Sequence, residues 1–314
     1  MDRKQTRTAR DGSQGGRATA GRLGSVALLV FIAAIWGATF PLVRDGIAGV
    51  ATLPFLQIRF LVAAGILVPA AVARGGFSRM IHPRCLAPGA LLAAGYVLQT
   101  EGLRTTSPSI SAFLTGTSVV IVPIVGTLLR WEKGSAWRWG AVVLALAGIF
   151  LLQGARLPDR WNSGETATLL CAVAFAGQIL LIGRLAPGAG DPLSFAAGQI
   201  LVAAIVLLVA GLIRGELLVS ARITSSAGFA ALLTGVAATA FAFFAQTWAQ
   251  RRVTASAVAI CFASEPVFAG LVSVLFYGDR LSSVAWAGAL CVTVAMSIVA
   301  FDPAGRAGEA LRRG

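Results

Sequence analysis

The sequence predicts an all-α polytopic membrane protein, with ten transmembrane helices arranged as two inverted five-helix repeats around a central cavity. Three observations lead to that fold class. The 314-residue chain is 57% hydrophobic and only 12% charged, with a mean hydropathy of +0.80. Soluble domains carry about 25% charged residues, so this chain has too few to cover a globule and the bilayer must be part of its solvent. Apolar runs follow one another with brief connections, leaving no room for a soluble domain between them. Finally, the second half of the chain repeats the pattern of the first.

In chain order, residues 1–22 are polar and rich in Gly, Arg and Thr, and read as a disordered basic tail. The apolar runs lie near 23–43, 53–73, 86–103, 108–129, 136–153, 164–184, 192–213, 226–249, 254–276 and 284–301. Most have the roughly 20 residues that a helix needs to cross about 30 Å of hydrocarbon. The third and fifth are shorter but within the usual range. Arg22 ahead of SVALLVFIAA has the look of a signal peptide. The run continues through Trp36 and Phe40, however, and nothing after it reads as a secreted domain, so it is taken as a first helix. Its end, Trp36-Gly37-Ala38-Thr39-Phe40-Pro41, suggests a kink or hinge. Trp139 and Trp286 open corresponding runs and read as interface anchors. Residues 302–314 form a basic C-terminal tail.

The positive charges set an orientation. With the N-terminus cytoplasmic, the cytoplasmic segments hold eighteen Lys and Arg, the opposite loops seven, and Arg59 lies inside the second run. That imbalance places both termini on the cytoplasmic side.

LPFLQIRFLVAA (53–64) aligns with LSFAAGQILVAA (193–204) at a shift of 140 residues, and Arg104 to Trp139 aligns without gaps to Arg251 to Trp286 at a shift of 147. Matched positions include Arg104/Arg251, Ser109/Ser256, Ser135/Ser282 and Trp139/Trp286, and Glu132-Lys133 meets Asp279-Arg280 with both charge signs kept. The repeats span 23–153 and 164–301. Five helices are an odd number, so the second copy enters from the opposite side, an arrangement common in secondary transporters. An old duplication in a membrane protein that transports nothing is the plainer alternative.

Several function classes fall away. The net charge of +13 alone would point to nucleic acid, but Arg and Lys lie in short segments between apolar runs and not on one polar face, as membrane topology requires. Cys85, Cys171, Cys261 and Cys291 are far apart in sequence, which fits neither a zinc site nor a disulfide framework. They read as free thiols packed as small hydrophobes. The single histidine, His82, sits in a basic loop. No hydrolytic triad, metal cluster, cofactor motif or phosphate-cradling glycine loop is present in the sequence, so neither an enzyme nor an ATP-driven pump is expected.

Polar residues inside the apolar runs are the functional candidates: Arg59, Gln99, Glu101, Gln178, Gln199, Gln246 and Glu265. A charge at membrane depth costs about 2.5–3.5 kcal/mol on insertion scales, so such groups normally face the bundle interior or a water-filled cavity. Glu265, near the centre of the ninth run, is the strongest. It could carry a proton, or it could steady the backbone that Pro266 disturbs; both readings stand. Arg59 could bind an anionic group, with snorkelling to the interface as the plainer reading. Glu101 reads as an interfacial charge. Aromatic residues that could line an organic-solute cavity are Trp36, Phe40, Tyr96, Phe113, Phe241 and Phe244. Any one of them could equally face lipid or packing. Thr39 and Thr117 complete the candidate lining, with Arg59, Gln99, Gln178 and Glu265. Tyr96 and Gln99 need not share a face at their spacing. At the shift of 147, Ser118 and Val119 stand opposite Glu265 and Pro266, so the carboxylate belongs to one half only.

IWGATFPLVR in the first run, Ile58-Arg59-Phe60 in the second, SAFLTGTSVVIVPIVGTLLRWEKGSAWRWGAVVLALAGIFLL and SAVAICFASEPVFAGLVSVLFYGDRLSSVAWAGAL together carry a resemblance. Over nearly all of 23–301 the chain resembles the EamA-type permeases of the drug/metabolite transporter superfamily. The family's Glu-Pro and Gly-Glu pairs correspond to Glu265-Pro266 and Gly278-Asp279, the latter a mild departure. The resemblance implies a cavity lined mainly by helices 1, 3, 4, 6, 8 and 9, with helices 5 and 10 peripheral. It implies movement of small organic metabolites, amino-acid-like solutes or drugs across the cytoplasmic membrane by alternating access, with export the direction expected and a proton gradient or solute exchange as the driver. No cofactor or metal is implied. The partners expected are a small-molecule substrate and the lipid bilayer, with a homodimer left open. Competing readings are a lipid or lipid-linked sugar flippase, and a non-transporting membrane sensor or assembly protein.

Overall fold

The computed structural model describes residues 2–155, 161–278 and 280–301, and these are helical with no strand among them. Helix α1 is Asp2–Gly46, so it runs straight through the segment expected to be a disordered tail and through Pro41 without a break. The tail 302–314 and Asp279 lie outside the described residues. Helix α2 is Thr52–Ala73; short α3, Phe77–Met80, and a 3-10 turn, Pro83–Cys85, lead into α4, Leu86–Thr105. The fourth apolar run is two helices, α5 (Pro108–Gly116) and α6 (Ser118–Leu128), followed by α7, Ala136–Leu152. The second half begins with α8 (Ser163–Leu185) and α9 (Pro192–Arg214). Its eighth run is α10 (Ser225–Leu233), a π-helical stretch Thr234–Phe241, and α11 (Ala242–Ala249). The ninth run is again split, into α12 (Ala255–Phe262) and α13 (Glu265–Tyr277), and α14 is Ser283–Phe301.

Eight of these segments are long and apolar enough to cross a bilayer, from Ala20–Thr39 to Ser283–Phe301, and Ala136–Leu152 is apolar but shorter. Ten crossings were expected. The third run, α4, is diluted by Tyr96, Gln99, Thr100 and Glu101, which lowers its apolar character. Large apolar side chains such as Phe31, Val143, Leu212, Phe276 and Leu290 are exposed around the bundle. A protein in water rarely exposes so much apolar surface; in a bilayer this surface faces lipid.

Local chemistry sets the helix ends. The Asn162 side chain accepts from Gly164 N while Glu165 accepts from Asn162 N, a capping box that starts α8. Ser135, Asp191, Thr224 and Thr254 cap α7, α9, α10 and α12, each side chain accepting from a backbone N–H of the first turn. Helices α2 and α9 stop identically. Gly75 and Gly215, 140 residues apart, adopt the left-handed conformation at φ 69° and 68°. Beyond them Gly76 N donates to Ala71 O and Glu216 N to Gly211 O, both at 2.8 Å.

Packing follows the same duplication. Helix α2 packs on its counterpart α9 and α7 on its counterpart α14, α6 of the fourth run packs on α12 of the ninth, and α4 on α8 mirrors α1 on α10 and α11. Arg104 donates to the Val50 carbonyl at 2.5 Å, and its counterpart Arg251 donates to the Gly190 carbonyl at 2.8 Å. A Cβ on Gly148 would lie 2.8 Å from the Gly288 carbonyl, so α7 and α14 meet backbone to backbone. The buried core forms two main clusters, one around α2, α4 and α9, the other around α6, α7, α12 and α14, and Trp36 of α1 packs against both. Cys85, Cys171 and Cys261 are buried free thiols and Cys291 is half-buried. Burial pushes the Cys85 thiol, at the connection before α4, up to about 11.

Candidate solute cavity

A cavity with about 890 Å³ of non-atom space, part of it opening outward, lies between the two core clusters. Its walls come from α1, α2, α4, α5, α6, α8, α11, α12 and α13; α7, α9, α10 and α14 contribute nothing.

Among the residues singled out in the sequence, Trp36, Thr39, Arg59, Tyr96, Gln99, Gln178, Gln246, Glu265 and Pro266 line it. Tyr96 and Gln99 share this face with Thr100 and Leu103, one turn on. Six others, Phe113, Thr117, Phe241, Phe244, Glu101 and Gln199, are elsewhere, and the Phe40 side chain lies outside the described ones. Phe113 packs tilted against Phe150 with ring centroids 5.7 Å apart, and the Thr117 hydroxyl donates to the Leu114 carbonyl at 2.6 Å. Phe241 is 39% exposed beside Phe31, and Phe244 packs against the α2 core. In the eighth run it is Phe243 that reaches the cavity, with Phe175 and Phe262 from neighbouring helices. The π-helical stretch changes the rotation of α11 relative to α10, so a uniform 3.6-residue period cannot say which phenylalanine faces inward.

Arg59 does not snorkel. It is 4% exposed and held inside the bundle. Its Nε donates to the Thr239 hydroxyl at 2.7 Å, and its Nη2 to the Tyr96 hydroxyl at 3.1 Å and the Ala238 carbonyl at 3.4 Å. The guanidinium carbon lies 4.4 Å from the Tyr96 ring centroid, a cation–π contact. Trp36 Nε1 donates to the same Ala238 carbonyl at 2.8 Å. Ala238 is in the π-helical stretch, where the wider turn leaves a carbonyl reachable by side chains. That stretch therefore positions two cavity residues from behind. Nη1 of Arg59 has no acceptor among the described residues.

Glu265 opens α13 at a break in the ninth run, with Pro266 in the first turn where its missing N–H costs nothing. The Ser264 hydroxyl donates to the Cys261 carbonyl at 2.6 Å and steadies the break. Thr117, 147 residues earlier, does the same at the break between α5 and α6, with neither a carboxylate nor a proline next to it. The Glu265 carboxylate makes no hydrogen bond to the described residues. It interacts with Arg59 electrostatically across the site, without a direct ion pair. Gly37 of α1 lets α13 come close, since a Cβ there would lie 2.8 Å from Ala269 N.

Behind one wall runs a chain of buried amides. Gln178 donates to Gln199 at 3.1 Å, and Gln199 to the Thr247 hydroxyl at 3.1 Å. Gln246 donates to Gln178 at 3.3 Å and to Gln250 at 2.9 Å. Of these, Gln178 and Gln246 line the cavity. The shift of 147 pairs Gln99-Thr100 with Gln246-Thr247, so each half supplies a glutamine. That identity was present in the sequence as a signal for Gln246 and Thr100. Thr239, Phe175 and Phe262 had no such signal. No group of His, Cys, Asp and Glu suited to a metal ion occurs among the described residues.

The chain resembles an uncharacterised transporter of Archaeoglobus fulgidus, 27% identical over 91% of this chain and 89% of that protein. It also resembles the uncharacterised transporter YwfM of Bacillus subtilis (28% identical, over 88% of this chain and 94% of that one). The uncharacterised inner membrane transporter YedA of Escherichia coli K12 is 26% identical, over 84% of this chain and 87% of its own. A solved crystal structure shares the fold at a TM-score of 0.74 and 18% identity, over 88% of this chain and 97% of that one. The family model of the EamA-like transporters matches twice, at residues 24–153 and 162–301. A multi-pass, all-helical membrane chain that matches this model once in each half belongs to the EamA-like transporter family.

Proposed function

We propose that this protein is a secondary transporter that exports small, amino-acid-like organic solutes across the cytoplasmic membrane by alternating access. The observation that carries the reading is the cavity itself. It presents a cation, Arg59, and a carboxylate, Glu265, that do not neutralise each other in a direct ion pair, between aromatic walls of Trp36, Tyr96, Phe175, Phe243 and Phe262. Opposite charges held apart suit a zwitterion, and aromatic walls suit an apolar side group. Ten crossings as two inverted repeats, 23–153 and 164–301, with both termini cytoplasmic, are supported by the matched helix ends, the matched Arg104 and Arg251 bonds and the charge count.

Glu265 is the proposed proton-coupling residue. The paired break at Thr117 forms without a carboxylate, which weighs against a purely structural role for the side chain. In liposomes with an imposed pH gradient, the wild type is expected to accumulate an amino-acid-like solute against its gradient. Glu265→Gln should abolish that accumulation while leaving solute exchange measurable. Accumulation that survives the substitution removes Glu265 as the coupling site.

A further inference from the structure

We propose that Gln246 is a specificity-determining residue of the cavity, whose Oε1 accepts a hydrogen bond from an N–H or O–H group of the solute. This inference rests on the cavity being the solute site.

The argument starts from two fixed carbonyls. The Thr247 hydroxyl donates to the Phe243 carbonyl at 2.7 Å, so toward Gln199 its oxygen must accept. Gln199 therefore turns its NH₂ to Thr247 and its oxygen to Gln178, and Gln178 turns its own oxygen to Gln246. From the other side, Gln250 donates to the Ile179 carbonyl at 2.9 Å, so it too turns its oxygen to Gln246. Both chains end on the Gln246 NH₂, whose two protons serve two acceptors. Amide orientation is ordinarily an assignment from the network. Here the network allows one choice, because a flipped Gln246 would set its oxygen against two others.

The Gln246 side chain is fully buried, it lines the cavity, and its Oε1 has no partner among the described residues. A buried acceptor left without a donor is unfavourable, and the cavity is the space from which a donor can come. The counterpart positions differ in kind. Gln99 lines the cavity from the first half, but where the second half has Gln199 in its amide chain, the first half has Arg59. Duplication thus left one half offering donors, through Arg59, and the other offering acceptors, through Gln246 and Glu265. The solute class this selects carries an anionic group and, separately, an amine or hydroxyl donor.

The test uses detergent-solubilised full-length protein and two matched probes, L-phenylalanine and 3-phenylpropanoate, which differ in the amine alone. Wild type is expected to prefer L-phenylalanine. Gln246→Met, which removes the acceptor, should reduce that preference about tenfold, the scale of one lost buried hydrogen bond, by weakening L-phenylalanine and not 3-phenylpropanoate. Gln246→Glu keeps an acceptor at the position and should retain the preference; it also serves if the methionine variant does not fold. Equal weakening of both probes, an unchanged preference in Gln246→Met, or a lost preference in Gln246→Glu overturns the proposal. Wild type binding both probes equally overturns it while leaving the solute-cavity reading intact. Wild type binding neither removes the amino-acid-like reading, and the proposal with it.

Discussion

Arg59 shows how much one buried side chain depends on its surroundings. A guanidinium at membrane depth is unfavourable unless its donors are met. Here the Thr239 hydroxyl, the Tyr96 hydroxyl and a π-helical carbonyl meet them. The Tyr96 ring also lies under the charge. Tyr96→Phe keeps the ring and deletes one acceptor. We expect a lower melting temperature and a severalfold weaker affinity for 3-phenylpropanoate, since a hydrogen bond to a charged group is worth about 1.5–3 kcal/mol. Thermal-shift titration checks this; an unchanged melting temperature and affinity would mean that the hydroxyl does not hold Arg59 in place. The residue types of the site were legible in the sequence, because a charge or amide in an apolar run stands out. Their partners were not, because Thr239 and the Ala238 carbonyl are 180 and 179 residues from Arg59.

Helix elements carry the joints of the molecule. The fourth and ninth apolar runs are interrupted by breaks at the cavity, and the eighth by a π-helical stretch behind it. The short α12 is held at its start by Glu132, which accepts from Ser256 N at 3.3 Å and also bonds the Ser256 hydroxyl. A carboxylate is favourable at a helix N-terminus. Glu132 also pairs with Arg138 at 3.5 Å, and both side chains are nearly buried. Removing one member of a buried pair costs about 3–5 kcal/mol. Glu132→Gln should therefore lower the melting temperature by several degrees and loosen α12 first, seen as faster amide exchange over residues 255–262. Uniform exchange across the bundle would place the loss elsewhere. The sequence marked Glu132 as one of two matched charges, but not its contact with the other half of the chain.

At the scale of the whole molecule, the proposed inversion of the repeats makes a prediction about sides. The connection after α2 and the connection after α9 are counterparts at a shift of 140 residues, yet an inverted repeat puts them on opposite faces of the membrane. Single cysteines introduced as Ser78→Cys and Val219→Cys, in a background without the native cysteines, test it with an impermeant maleimide. Position 78 should react only from the cytoplasmic side and position 219 only from the other. Reaction of both from one side would rule out inversion. The same scale explains the two core clusters: each joins helices from both halves, and the cavity lies between them.

The sequence by itself determined the membrane class, the order and bounds of most helices and the repeat that relates the halves. These depend on local hydropathy and on side chains within a few residues of the backbone they serve. Only the tertiary structure decided that Phe243 faces the cavity while Phe241 and Phe244 do not, that Arg59 is bound inside, and that four polar side chains join Gln246 to two backbone carbonyls. In helices apolar on every side no polar stripe distinguishes inward from outward. Which face turns inward then depends on helix rotation and on neighbours far away in sequence, and here a π-helical stretch resets that rotation partway through one run.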